Sequence, residues 1–203
     1  MNRPLRKSLN LSSLRFAGIP EKFFKTTLRD FDVSHDKELQ QVYTFVNNYL
    51  HTMGETELKD MKGICFYGSN GVGKTMLASI ILKRAYIMRY SIRRATFVEY
   101  MNRYTAVWAS RAIDERELIR DDLYSNYKAV EYLVIEEIGK EVDSKASAPI
   151  LEDLLRYRED RGLVTIICTN LSPKDIEAKY GASVFSLMKG NMIPVKIVGN
   201  DMR

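Results

Sequence analysis

The sequence predicts an α/β protein built on a mainly parallel sheet with helices on both faces, and three observations predict it. Short apolar runs alternate with long stretches of helical periodicity, the pattern of strands joined by crossover helices. A complete G-x-x-x-x-G-K-T string occupies residues 68–75, between one such run and one such helix. About sixty residues later another apolar run ends in two adjacent carboxylates, Glu136 and Glu137. A chain of 203 residues, 45% hydrophobic and 28% charged, can bury one full core, which excludes a disordered or collagen-like polymer.

Taken in order, residues 1–33 read as a basic arm and lead-in, with Arg3, Arg6, Lys7 and Arg15 and an extended-looking stretch broken by Gly18 and Pro20. From Ser34, a candidate N-cap, the residues Leu39, Val42, Val46, Leu50 and Met53 recur at helical spacing until Gly54. A charged turn leads to a buried strand at residues 64–67. After the glycine-rich string, Leu77, Ile81, Ala85, Met88 and Ile92 mark a long helix. A second strand is expected at residues 95–99, charged helix over 100–128, and a third strand at 132–135. Residues 144–161 repeat the helical period through Ile150, Leu154 and Tyr157. Residues 163–169 form a fourth strand, and the closing IPVKIVGNDMR supplies the last. Cys65 and Cys168 fall inside apolar runs, which suits a reduced interior better than a disulfide framework, a zinc site or a nucleophile. Without a signal-peptide core or about 18 consecutive apolar residues, the expectation is a cytoplasmic protein.

The string Gly68-Ser69-Asn70-Gly71-Val72-Gly73-Lys74-Thr75 has the composition and setting of a P-loop. Its glycines let backbone amides converge on phosphate oxygens, and the following helix adds the positive end of its dipole. Lys74 would neutralise the β and γ phosphates, and the Thr75 hydroxyl would be a magnesium ligand. Glu136 and Glu137 resemble a Walker B pair: the first would hold Mg²⁺ through its water shell, the second would act as base for the attacking water. The usual first residue is Asp. Glu136 carries one more methylene and reaches about 1 Å too far unless it folds back, so nucleotide binding should survive better than fast hydrolysis. Asn170 ends the next apolar run and would sit at the carboxyl edge of the sheet, placed to orient water against the γ phosphate.

The segments FYGSNGVGKTMLA, YLVIEEIGKE, TIICTNLS and IVGNDMR, with the lead-in AGIPEKFFKTTLRDFD, resemble the replicative helicase loaders of the DnaC/DnaI group, AAA+ ATPases of bacteria and phages related to the IstB transposition ATPases. The resemblance covers residues 17–203. It implies an AAA+ fold over residues 34–203, with a five-stranded parallel sheet ordered 5-1-4-3-2 and little or no C-terminal lid. It also implies ATP and Mg²⁺ binding, contact with single-stranded DNA, self-association and delivery of a ring-shaped helicase. On it Lys74 and Thr75 are the Walker A pair, Glu136 and Glu137 the Walker B pair, and Asn170 the sensor. Members of the group carry a larger amino-terminal domain. They also carry arginines where this chain has Ser183 and Leu187; such arginines reach a neighbouring subunit's γ phosphate and raise hydrolysis by orders of magnitude. Arg158, Lys189 and Arg203 are the candidate replacements, and a slow ATPase or nucleotide-gated switch is expected.

A net charge of +5 and a pI near 9.1 favour polyanionic partners without identifying one. Between Lys62 and Arg94 stand seven basic residues and no acid, but a solvated helix face accounts for them. The stretch from Tyr100 to Arg120 sets Tyr100, Tyr104 and Trp108 at helical spacing, with Arg103, Arg111, Arg116 and Arg120 interleaved or following. Either these stack bases and track phosphates, or Met101, Tyr104, Trp108 and Ala112 pack into the core. The function expected is an ATP-dependent loader or regulator of a replicative helicase on single-stranded DNA. An IstB-like transposition ATPase and a non-hydrolysing helicase adaptor or inhibitor are the alternatives.

Overall fold

The computed structural model describes residues 8–34, 36–141 and 146–199. The lead-in is compact rather than extended. Asn10 caps a short helix, α1 (Leu11–Phe16), by accepting from the Ser13 amide, and turns of 3-10 helix follow at Glu21–Phe23 and Leu28–Asp30. Leu14, Ile19, Phe24, Leu28 and Phe31 are buried in one cluster with Ile64 and Phe66 of the first strand, so residues on both sides of position 33 share a core. Arg3, Arg6 and Lys7 lie outside the described residues.

Helix α2 (Lys37–Glu55) starts two residues later than the sequence suggested. Asp36 is the cap, accepting from the amides of Glu38 and Leu39, while Ser34 is engaged with Asp32 instead. Leu39, Val42, Val46 and Met53 form the buried stripe as expected, and the helix runs through Gly54. Strand β1 (Gly63–Tyr67) enters the glycine-rich loop, and α3 (Lys74–Ile87) leaves it. Helix α3 stops short of Ile92: the chain turns at Arg89, whose φ is 66°, and Ile92 opens β2 (Ile92–Thr96). The expected strand over 95–99 is corrected likewise. Thr96 accepts from the Glu99 amide and caps α4 (Phe97–Ala109).

The charged stretch that follows is interrupted rather than continuous, with α5 (Ile113–Leu123) packed on α4 and closed by a π-helical turn, Tyr124–Lys128. Strand β3 (Tyr132–Ile138) is next, then α6 (Ser147–Glu159), shorter than the expected 144–161. Residues 142–145, including the expected helix start at Ser144, lie outside the described residues. Strand β4 (Val164–Thr169) is buried along its whole length, as its mostly apolar, β-branched composition predicts for a central parallel strand. A capping box between Ser172 and Asp175 starts α7 (Pro173–Asn191), which breaks at Gly181, and β5 (Met192–Lys196) closes the sheet.

All neighbouring strands are parallel in the order β2-β3-β4-β1-β5, which is 5-1-4-3-2 read from the other edge. One core layer joins the lead-in, α2 and α3 to one sheet face; a second joins α4, α6 and α7 to the other. The loop after β1 and the carboxyl ends of β3 and β4 therefore meet at one sheet edge, where open α/β folds bind ligands.

Candidate nucleotide site

Residues 68–73 form the loop between β1 and α3. Gly68 has φ 146°, and a Cβ there would stand 2.1 Å from the carbonyl oxygen of Ile197, because the segment after β5 runs alongside the loop. Only glycine permits that approach. Val72 is fully buried and anchors the loop to the core, while α3 begins without a side-chain cap. Its first amides are thus left for an anion, assisted by the helix dipole. The Lys74 ammonium donates to the carbonyls of Gly68 (2.8 Å) and Ser69 (2.5 Å) and to Oδ1 of Asn170 (2.9 Å), and the Asn170 amide donates to Oδ1 of Asn70 at 2.9 Å. Lysine and asparagine, 96 positions apart, are in direct contact.

Glu136 ends β3 beside the loop and is only 3% exposed. One of its carboxylate oxygens pairs with Arg94; the other, Oε1, is buried with no hydrogen-bond partner among the described residues. Arg94 was not anticipated as a site residue. In the β2–β3 register Arg94 lies opposite Val134 and Thr96 opposite Glu136, so arginine and carboxylate are diagonal neighbours. A second guanidinium nitrogen donates to the Gly18 carbonyl at 3.3 Å. Glu137 is half-exposed and pairs with Lys140 at 2.7 Å.

Asn70, Lys74, Arg94, Glu136, Glu137 and Lys140 line a cleft of about 680 Å³, and Asn170 is hydrogen-bonded to two of them, Lys74 and Asn70. Ser69, Gly71, Gly73 and Thr75 accompany them around the loop, with Gly71, Gly73 and Thr75 in the cleft wall. Another wall was not expected from sequence: Pro20, Lys22 and Phe23 of the lead-in, with the Lys22 ammonium 5.0 Å from the Phe23 ring centre. A smaller cavity of about 200 Å³ lies at the amino ends of the strands, against Lys59, Gly162 and Asn191, away from these groups. Both cysteines are free and buried. Burial pushes the Cys65 thiol up to about 12, and burial reinforced by nearby Glu136 lifts Cys168 well above its ordinary value.

Several basic residues have structural duties. Arg158 is corrected as a trans-acting arginine: it is 1% exposed and donates to Thr165 and to the carbonyls of Tyr127, Lys128, Val130 and Val164. Arg203 lies outside the described residues, and Lys189 is exposed on α7. Ser183 donates to Glu152 at 2.7 Å and accepts from Arg156 at 3.1 Å, which sets an exposed guanidinium beside position 183 from the neighbouring helix. Leu187 is partly buried against the second core layer. The run from Lys62 to Arg94 is not simply a solvated face. Lys83 is buried against carbonyls of the lead-in, and Arg93 donates to Phe16 and Tyr127.

On α4 the two readings divide. Tyr100 is fully buried and closed to base stacking, Met101 and Tyr104 are partly buried against the core, and Phe97 and Val107 are the further buried residues of this helix. Trp108 is 72% exposed and Arg111 is exposed, so Trp108 and Ala112 are not core residues. Arg103 pairs with Asp122 at 3.5 Å, and Arg116 donates to the Ser110 carbonyl at 2.8 Å.

A phosphate loop opening a helix, a carboxylate pair at the end of the third strand and an amide at the end of the fourth, on a 5-1-4-3-2 sheet, define a P-loop ATPase core. The chain belongs to the AAA family, the ATPases associated with various cellular activities, which matches residues 64–181. A curated relative is the replicative helicase loader DnaC of Buchnera aphidicola subsp. Baizongia pistaciae, 23% identical over 193 residues, covering 93% of this chain and 75% of the relative. A crystal structure of the DnaC helicase loader superposes with a TM-score of 0.70 at 21% identity, covering 88% of this chain and 100% of the other. The AMPPCP-bound DnaA of Aquifex aeolicus gives 0.68 at 19% identity, covering 91% and 53%. The resemblance to the DnaC/DnaI group thus holds in sequence comparison and in fold. Among the described residues, no helix is long and apolar enough to cross a membrane.

Proposed function

We propose that this protein loads or regulates a replicative helicase on single-stranded DNA, with ATP binding and hydrolysis as its switch. The observation that carries the reading is the contact of Lys74 with Asn170 at the mouth of the phosphate loop, beside Glu136 and Glu137, in a chain whose curated relatives bear the name of replicative helicase loader. On nucleotide entry Lys74 exchanges its loop carbonyls for phosphate oxygens. Asn170, which follows the end of β4, is then available to orient the attacking water, and Glu137 to take its proton once Lys140 lets go.

The donor set suits magnesium: Thr75, with a hydroxyl to offer, lines the cleft, and the orphaned, buried Oε1 of Glu136 is an acceptor for a cation or its water. A bound magnesium ion would supply charge neutralisation on the phosphates. Slow basal turnover follows from three features. Glu136 is longer than aspartate and already paired with Arg94, Glu137 is paired with Lys140, and no arginine stands at positions 183 or 187. Trp108 and Arg111, exposed at the end of α4, are the surface proposed for single-stranded DNA, with Arg103 and Tyr104 behind them.

Co-purification with a replicative helicase, with and without ATP, tests the reading. A complex whose yield changes with nucleotide is expected, together with slow phosphate release by the protein alone. No complex in either condition rejects helicase loading; rapid turnover without partner or DNA rejects the slow switch.

A further inference from the structure

The backbone of Glu137 has φ 61°, a left-handed conformation that a residue with a long side chain seldom adopts. Such a residue persists only where its surroundings over-determine it. Here the surroundings are a bulge and a clamp. The β3–β4 ladder passes from Glu136 opposite Cys168 directly to Ile138 opposite Thr169, so Glu137 is the residue pushed out of register towards the cleft. Thr169 fixes the far side of the bulge by donating from Oγ1 to the Ile138 carbonyl at 2.6 Å. The next residue, Gly139, has φ 101° and lies so close to Leu171 that a Cβ would come within 2.6 Å of that side chain.

Both polar groups of Gly139 are held by one buried cluster. Its amide donates to Oε2 of Glu141 at 2.9 Å, and its carbonyl accepts from Lys179 at 3.2 Å. The other Glu141 oxygen accepts from the Tyr180 hydroxyl at 2.5 Å and pairs with Lys179 at 3.2 Å. The Glu141 side chain is 3% exposed, so this is a carboxylate taken out of water and fully engaged. Lys179 and Tyr180 end the first segment of α7, immediately before the break at Gly181. The same segment begins at Pro173, three residues after Asn170. One short piece of helix therefore joins the end that contacts Lys74 to the end that holds the turn after Glu137.

We propose that Glu141, held by Tyr180 and Lys179, is a positioning residue that fixes Glu137 in its reactive backbone conformation and ties it to the Asn170 end of α7. The proposal rests on the ATPase reading above and has one readout independent of it. Glu141→Ala should lower kcat about tenfold or more while the Kd for a fluorescent ATP analogue stays within about twofold. Glu141→Gln, which keeps an acceptor for the Gly139 amide, should restore most of the rate. In a Glu137→Gln background Glu141→Ala should change the residual rate little, because the group through which it acts is already gone. Hydrogen exchange of the Gly139 amide should accelerate about tenfold or more in Glu141→Ala, with the amides of β1 unaffected.

An unchanged kcat and unchanged Gly139 exchange would overturn the proposal, as would the same rate loss with and without Glu137. Loss of nucleotide affinity in step with kcat would make the cluster a general scaffold and overturn it too. Should Glu141→Ala fail to fold, Tyr180→Phe removes a single hydrogen bond and is expected to show the same effects at smaller size. If the wild-type protein shows no turnover even with helicase and DNA, the ATPase reading fails, and the exchange measurement alone decides whether Glu141 holds the turn.

Discussion

Arg94 is the residue whose role is least expected from its surroundings in the sequence, since it stands in a basic run yet spends its charge on Glu136. Removing one member of a buried pair leaves the other desolvated and unpaired, which costs about 3 kcal/mol. Arg94→Met should therefore lower the stability of the nucleotide-free protein by roughly that amount, and Mg²⁺ with ADP should recover part of it by giving Glu136 another cation. Thermal unfolding with and without Mg²⁺-ADP checks both statements; a variant as stable as wild type without nucleotide would show that the pair contributes nothing. Lys74, Thr75, Glu136 and Glu137 stand out in the sequence because their residue types have the spacing that phosphate and magnesium chemistry asks for, and the fold brings all four to one cleft. Arg94 does not, because the diagonal that joins it to Glu136 exists only once β2 and β3 are aligned, and no local spacing encodes a parallel register across 42 positions. The buried Arg158 illustrates the reverse: its place in an amphipathic helix says nothing of the five acceptors that enclose it.

At the level of elements, the central strands were legible and their borders were not. Strands β3 and β4 are buried on both faces over most of their length, so apolar residues stand at consecutive positions, 132–135 and 166–168, and do not alternate with polar ones. The error at 95–99 arose because Ala95, Phe97 and the residues between suit a strand as well as a helix; the decisive signal, Thr96 followed three residues later by Glu99, is the spacing of a capping box. Helices α6 and α7 carry a consequence of their packing. Arg156 reaches across from α6 to Ser183, held by Glu152 at 2.8 Å, and so presents a guanidinium at one of the two positions where α7 lacks one. If Arg156 serves a neighbouring subunit's nucleotide, Arg156→Ala subunits still contribute intact nucleotide sites when mixed with Lys74→Ala subunits. The mixture should then turn over ATP faster than Arg156→Ala alone. Equal rates in the mixture and in Arg156→Ala alone would remove Arg156 from the reaction.

Across the whole molecule, the lead-in and the ATPase core are joined through α3, the helix that the phosphate loop opens. Lys83 lies in the third turn of that helix and is 5% exposed, because the lead-in covers the face that helical periodicity alone would assign to solvent. Its ammonium donates to the carbonyls of Phe23 (2.6 Å), Phe24 (3.3 Å) and Thr26, and burial lowers its pKa against the opposing pull of Asp30. The same stretch supplies Pro20, Lys22 and Phe23 to the cleft wall, and Gly18 accepts from Arg94, the partner of Glu136. The lead-in is thus held from α3 through Lys83 and from β2 through Arg93 and Arg94, which donate to the carbonyls of Phe16 and Gly18. Charge-assisted hydrogen bonds of this kind stabilise by about 1.5–3 kcal/mol, and cutting them also leaves backbone carbonyls without their donor. Lys83→Ala should accordingly lower stability by about 2–3 kcal/mol and, because the released turn forms part of the cleft, weaken binding of a fluorescent ATP analogue. Lys59→Ala, a change at an exposed lysine paired with Glu57 at 3.2 Å, should do neither. Retained nucleotide affinity in a destabilised Lys83→Ala protein would confine the lead-in to a packing role; reduced affinity would make residues 18–26 part of the nucleotide site and not merely a segment that precedes it.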